Sequence, residues 1–148
     1  MASKKTIYIS DEAEAVIGHT DSLSGRINTI AIRYGAIAAD ECPALAEPEW
    51  MLLCDMLNGT ILDTDYRTAD PSRFLWADIS EAGKLDGLAD KWSVDTEALS
   101  LRVRNMRLAQ RIAIIEVVSK FWGSPHLNEA PAAEVLKECG AQIASAAA

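Results

Sequence analysis

The chain lacks most of what catalytic and metal sites are built from. It has two histidines, His19 and His126, far apart in sequence. Neither has the Glu-x-x-His or His-x-x-x-His company that a metal ligand or catalytic base needs. Three cysteines, Cys42, Cys54 and Cys139, form no closely spaced pair, which argues against a zinc or redox motif. They read as small buried hydrophobes. No Ser–His–Asp set and no glycine-rich phosphate loop can be assembled. The expectation is a protein that is not an enzyme and uses no cofactor. Asp63 and Asp65 stand close together, but carboxylates in a polar loop are ordinarily solvated.

Long apolar runs are missing too. None reaches the roughly 20 residues of a membrane span. Lys4 and Lys5 are followed by no hydrophobic stretch of the signal-peptide kind, so a cytoplasmic protein with no membrane contact is expected. No repeat of fixed period is present, and the only low-complexity tract is the alanine-rich tail. Net positive charge is also absent: the sum is −8 at neutral pH. Its distribution is uneven. Over residues 1–39, Lys4, Lys5, Arg26 and Arg33 balance Asp11, Glu12, Glu14 and Asp21, so the whole acidic excess lies further on.

What is present is 148 residues, 49% of them hydrophobic, enough for a core without disulfides or metal. The first forty residues have an order of their own. Thr6 to Ile9 alternates as a strand, with Ile7 and Ile9 on one side and Lys4, Thr6 and Tyr8 on the other. A strand this short is not stable alone. No later stretch makes a convincing partner, Ile61–Leu62 being too short, so the simplest partner is the same strand of a second copy. Ser10 then starts a helix with Asp11, Glu12 and Glu14 in its first turn, and Gly18 stops it. A second helix is expected from Ser24, capped by its hydroxyl, with Ile27, Ile30, Ala31, Tyr34 and Ile37 or Ala38 on one face.

Pro43 and Pro48 interrupt the pattern, and residues 41–48 read as a linker between an N-terminal module, 1–40, and an acidic all-helical domain, 49–148. There, Glu49–Asn58 carries Trp50, Leu53, Cys54 and Leu57 on one face. Thr60–Ala69 reads as a loop. Asp70-Pro71 opens a helix to about Ala82, with Leu75, Ile79 and Ala82 inward. A short helix follows with Leu85, Leu88, Ala89 and Trp92, then one capped by Asp95, with Leu99, Val103 and Met106 inward. After a joint at Asn105–Arg107, Leu108–Trp122 is apolar around most of its circumference, the mark of a central helix. A last helix is expected from about Ala130 to Ile143. Arg104, Arg107 and Arg111 would share a face of a continuous helix. Salt bridges to nearby carboxylates are the expected use of this basic stretch, and a core role that of the tryptophans.

The strand Thr6-Ile7-Tyr8-Ile9, the helix start Ser10-Asp11-Glu12 and the second-helix segment Ser24-Gly25-Arg26-Ile27-Asn28-Thr29-Ile30-Ala31 resemble the ribbon–helix–helix family of DNA-binding proteins. The resemblance covers about a quarter of the chain. It implies a mainly α homodimer in which two strands form an antiparallel ribbon over four helices and enter the major groove of double-stranded DNA. It implies that Lys4, Thr6 and Tyr8 face the groove. Ser22, Ser24 and Gly25, with Arg26, would lie beside a phosphate at the start of the second helix. The groove-facing set holds Lys4 but no arginine, and the first helix is short. The function implied is that of a bacterial, phage or plasmid transcriptional regulator of the repressor kind, whose C-terminal domain serves oligomerisation or a protein partner. The other reading is a phage- or plasmid-type inhibitor or adaptor. In it the module only dimerises, and the acidic helical part binds a basic protein surface.

Overall fold

The computed structural model describes residues 9–19, 21–57, 79, 81 and 87–145. Over these residues the chain is mainly helical, with one short two-stranded sheet. The helices, in chain order, are α1 (Asp11–Ile17), α2 (Leu23–Glu41), α3 (Glu47–Leu57), α4 (Leu88–Trp92), α5 (Thr96–Asn105), α6 (Leu108–Trp122) and α7 (Ala132–Glu138). The strands are β1 (Ala44–Leu45) and β2 (Gln142–Ile143). By its internal contacts the chain divides into two compact units, Met1–Ala36 and Ile37–Ala148, so the division falls inside α2. No described helix is long and apolar enough to cross a membrane.

In the first unit, α1 starts and stops where its sequence signals lie. Ser10 Oγ accepts the backbone N–H of Ala13 at 3.1 Å, relieving one of the unpaired donors of the first turn. Gly18 ends the helix at φ +78°, ψ 173°, a conformation essentially reserved for glycine, and returns its N–H to the Glu14 carbonyl. The second helix opens two residues earlier than a Ser24 cap implies. Leu23 is its first residue, which puts Ser22 rather than Ser24 at the N-cap position. Of the expected strand Thr6–Ile9, residues 6–8 lie outside the described residues; Ile9 is half-buried and in no strand.

The second unit holds the buried core: Leu45, Trp50, Leu52, Leu53, Cys54, Leu57, Ile79, Leu99, Val103, Ile114, Val118, Phe121, Val135 and Leu136 pack as one cluster. The inward faces expected of α3, α5 and α6 are there, and Leu52 is buried as well. Asp95 caps α5 by accepting the Ala98 N–H at 3.1 Å. The joint between α5 and α6 is two extended residues, Met106 and Arg107. Arg104 and Arg111 therefore sit on different helices, and the shared face of a continuous helix does not form. Arg107 pairs with Glu41, and Arg102 with Glu49.

Two expectations need correcting. The last helix does not reach Ile143; it ends at Glu138. Gly140, at φ +96°, takes a left-handed turn, its N–H bonding the Lys137 carbonyl and the N–H of Ala141 bonding that of Leu136, each at 3.0 Å. This is a Schellman closure, and it redirects the chain out of the helix. The freed residues form β2, which pairs in parallel with β1, Ala44 opposite Gln142 and Leu45 opposite Ile143. The later chain thus does contain strands. Residues 41–48, read as a linker, hold β1, whose Leu45 is 1% exposed.

Three indole N–H groups are spent on the fold. Trp50 Nε1 donates to the Gln142 carbonyl at 3.0 Å, Trp122 Nε1 to the Cys54 carbonyl at 2.8 Å, and Trp92 Nε1 to Asp55 Oδ2 at 2.7 Å. Buried indoles require such partners. Trp50 is in the core, as expected, and Trp92 and Trp122 are half-buried against it; Trp76 lies outside the described residues.

Candidate nucleic-acid interface

Of the residues expected to meet DNA, Lys4, Thr6 and Tyr8 lie outside the described residues. The other four, Ser22, Ser24, Gly25 and Arg26, come together in the first turn of α2. Ser22, Ser24 and Gly25 are exposed. The Ser22 carbonyl accepts the Arg26 N–H at 3.0 Å, the first bond of the helix. Ser22 Oγ folds over the turn: a Cβ added to Gly25 would lie 2.8 Å from it. Gly25 is thus the residue that gives the capping serine room. Thr29 Oγ1 donates back to the Gly25 carbonyl at 2.9 Å, the local bonding that hydroxyl side chains favour inside helices.

Arg26 has a structural task that its sequence position did not reveal. Its Nε donates to the Ile17 carbonyl at 3.1 Å, across the turn between the two helices. That carbonyl belongs to the last turn of α1, where intrahelical donors run out. The residue is half-buried, and this bond holds its guanidinium against the end of α1.

Beside this turn is a concavity of about 300 Å³ lined by Ile9, Glu14, Ile17, Gly18, His19 and Leu23. Its wall is about as polar as it is apolar, with the side chains of Ile9, Ile17 and Leu23 beside those of Glu14 and His19. Over residues 1–36 the sequence has four acidic side chains (Asp11, Glu12, Glu14, Asp21) and four basic ones (Lys4, Lys5, Arg26, Arg33), a sum of zero. The positive end of the α2 dipole is the feature here that favours an anion.

None of the described residues from 9 to 36 is buried. Ile17, Ile27 and Ile30 are half-buried, while Leu23 stays 46% exposed and Tyr34 42%. Helical spacing puts Leu23, Ile27, Ile30 and Tyr34 on one stripe of α2. The sequence signal for this stripe was its 4-3-4 spacing; its incomplete cover is visible only in the fold.

Elsewhere the described residues hold no group of three or more His, Cys, Asp or Glu side chains placed to bind a metal ion. His126 Nδ1 lies 3.4 Å from Glu129 Oε2, an exposed pair three residues apart in the turn between α6 and α7. Burial holds all three thiols above their ordinary pKa, with Cys54 and Cys139 buried and Cys42 half-buried. Cys54 is pushed up to about 12, first by burial and then by the charges of Asp55 and Cys139. Burial also raises Cys139, against the opposing charge of Lys120, and raises Cys42. A shallow concavity of about 310 Å³ next to Cys139 is lined by Lys120, Gly123, Ser124, Pro125, His126 and Glu138. It lies at the C-terminal end of α6, where the dipole disfavours an anion. Asp63 and Asp65 are outside the described residues.

Comparison of the chain with protein-family models, with curated proteins and with solved structures gives no match.

Proposed function

We propose that the chain is a homodimeric, sequence-specific DNA-binding transcriptional regulator of the ribbon–helix–helix type. Its N-terminal unit would dimerise and read DNA. Its helical C-terminal unit would serve further association or a protein partner. One observation carries this reading: none of the described residues from 9 to 36 is fully buried, although α2 carries Leu23, Ile27, Ile30 and Tyr34 at helical spacing. A module that leaves its apolar stripe half in water is stable only when something covers it. A second copy that supplies the same stripe and a pairing strand is the partner that the sequence pattern implies. The exposed first turn of α2, with Ser22, Ser24 and Gly25, is the phosphate-facing element of that reading.

Sedimentation of the whole chain tests the dimer, and two substitutions localise it. Leu23→Glu places a carboxylate in the first turn of α2, where the helix dipole welcomes it, so helicity is retained while the stripe is spoiled. Ile32, 73% exposed, lies nine residues on and so on the opposite side of the helix. Dimerisation is expected to weaken at least tenfold in Leu23→Glu and to stay unchanged in Ile32→Glu. A clean monomer of the unaltered chain at micromolar concentration overturns the reading. DNA binding is then measured on genomic fragments as salt is raised: affinity falls steeply if phosphates are neutralised. It is expected to be lost in Lys4→Ala, Thr6→Ala or Tyr8→Ala chains that still dimerise.

The charge favours a second reading. With no net positive charge over residues 1–36 and −8 over the whole chain, a dimer that binds a basic protein surface as an inhibitor or adaptor is electrostatically the easier object. A chain that dimerises but binds no DNA at low salt selects it.

A further inference from the structure

We draw no further inference here: the strongest candidate, the half-exposed apolar stripe of Leu23, Ile27, Ile30 and Tyr34 along α2 in the first unit, is the surface already given to a second copy under the proposed function, and nothing in the structure shows what else covers it.

Discussion

The indole N–H of Trp50 donates to the carbonyl oxygen of Gln142 at 3.0 Å, across 92 positions of the sequence. Trp50 is in the first turns of α3, directly after β1, and Gln142 begins β2. One side chain therefore pins the closing strand of the second unit beside the opening one. Trp50 is itself fully buried. Trp50→Phe keeps most of the packing and removes the donor, at a cost of about 1–2 kcal/mol. Trp50→Ala removes both and should cost about 3–5 kcal/mol. Urea unfolding followed by circular dichroism measures the two. A Phe variant within about 0.5 kcal/mol of the parent would mean that the bond does not hold the strand.

Two helix ends in the second unit make the same Schellman closure with different residues, and they should respond to substitution with opposite sign. After α7 the left-handed position is Gly140, at φ +96°; after α4 it is Ser93, at φ +54°. Ser93 N–H bonds the Asp90 carbonyl and Val94 N–H that of Ala89, the same two-bond pattern. A side chain pays about 1–2 kcal/mol for that backbone region. Nothing lies within 4 Å of a Cβ built on Gly140, so Gly140→Ala should lose about that much through the backbone alone. Ser93→Gly should gain about 0.5–1 kcal/mol, the strain relieved less the extra freedom given to the unfolded chain. Thermal unfolding reads both, and equal signs would contradict the pairing.

These closures also show what the sequence could reveal. Ser10, Gly18 and Asp95 act within one turn of themselves, and each was legible as a cap or a stop. The core faces of α3, α5 and α6 were legible because burial there follows helical period. The end of α7 was not. Val135, Leu136, Cys139 and Ile143 keep helical spacing, and Ile143 carries that spacing into a strand by coincidence. Only Gly140 signalled the break. The β1–β2 pair was beyond reach for a different reason: two residues cannot show an alternation, and their partners are separated by almost the whole second unit. For the candidate interface, the residue types at the start of α2 were legible. The bond from Arg26 to the Ile17 carbonyl was not, because it depends on how the turn between α1 and α2 brings them together. The shift of the cap from Ser24 to Ser22 is a one-turn ambiguity among three nearby hydroxyl residues, Thr20, Ser22 and Ser24.

Asp55 Oδ2 accepts from both Lys91 Nζ, at 2.8 Å, and Trp92 Nε1, at 2.7 Å. The two bonds should differ in weight. Lys91 is more than half exposed, and an exposed ion pair contributes little, so Lys91→Ala should cost below about 0.5 kcal/mol even with the loss of its contact over the Trp92 ring. Asp55→Ala also strands the indole N–H of half-buried Trp92 and should cost about 1–2 kcal/mol. Combining Asp55→Ala with Trp92→Phe removes the stranded donor and should recover part of that loss. Equal costs for Lys91→Ala and Asp55→Ala would place the weight on the ion pair instead.

The burial of Cys54 sets a direction for stability at high pH. Its thiol is pushed up to about 12 in the folded chain, while an unfolded cysteine ionises near its ordinary value of 9.0. The folded pKa is the higher one, so the contribution is fully present below the unfolded value. It is lost as pH rises from about 9 towards 12, because only the unfolded chain gives up the proton in that window. The loss attributable to this thiol is at most about 1.4 kcal/mol per pH unit. Other groups titrate over the same range, so the quantity to measure is the difference between the parent and Cys54→Ala, whose stability should fall less steeply above about pH 9. Thiol labelling with Ellman's reagent at pH 8 gives an independent check. Half-buried Cys42 should react ahead of the other two, and Cys54 only as fast as the second unit opens. Labelling of Cys54 at the rate seen in denaturant would show that the packing between α3 and its neighbours does not shield it.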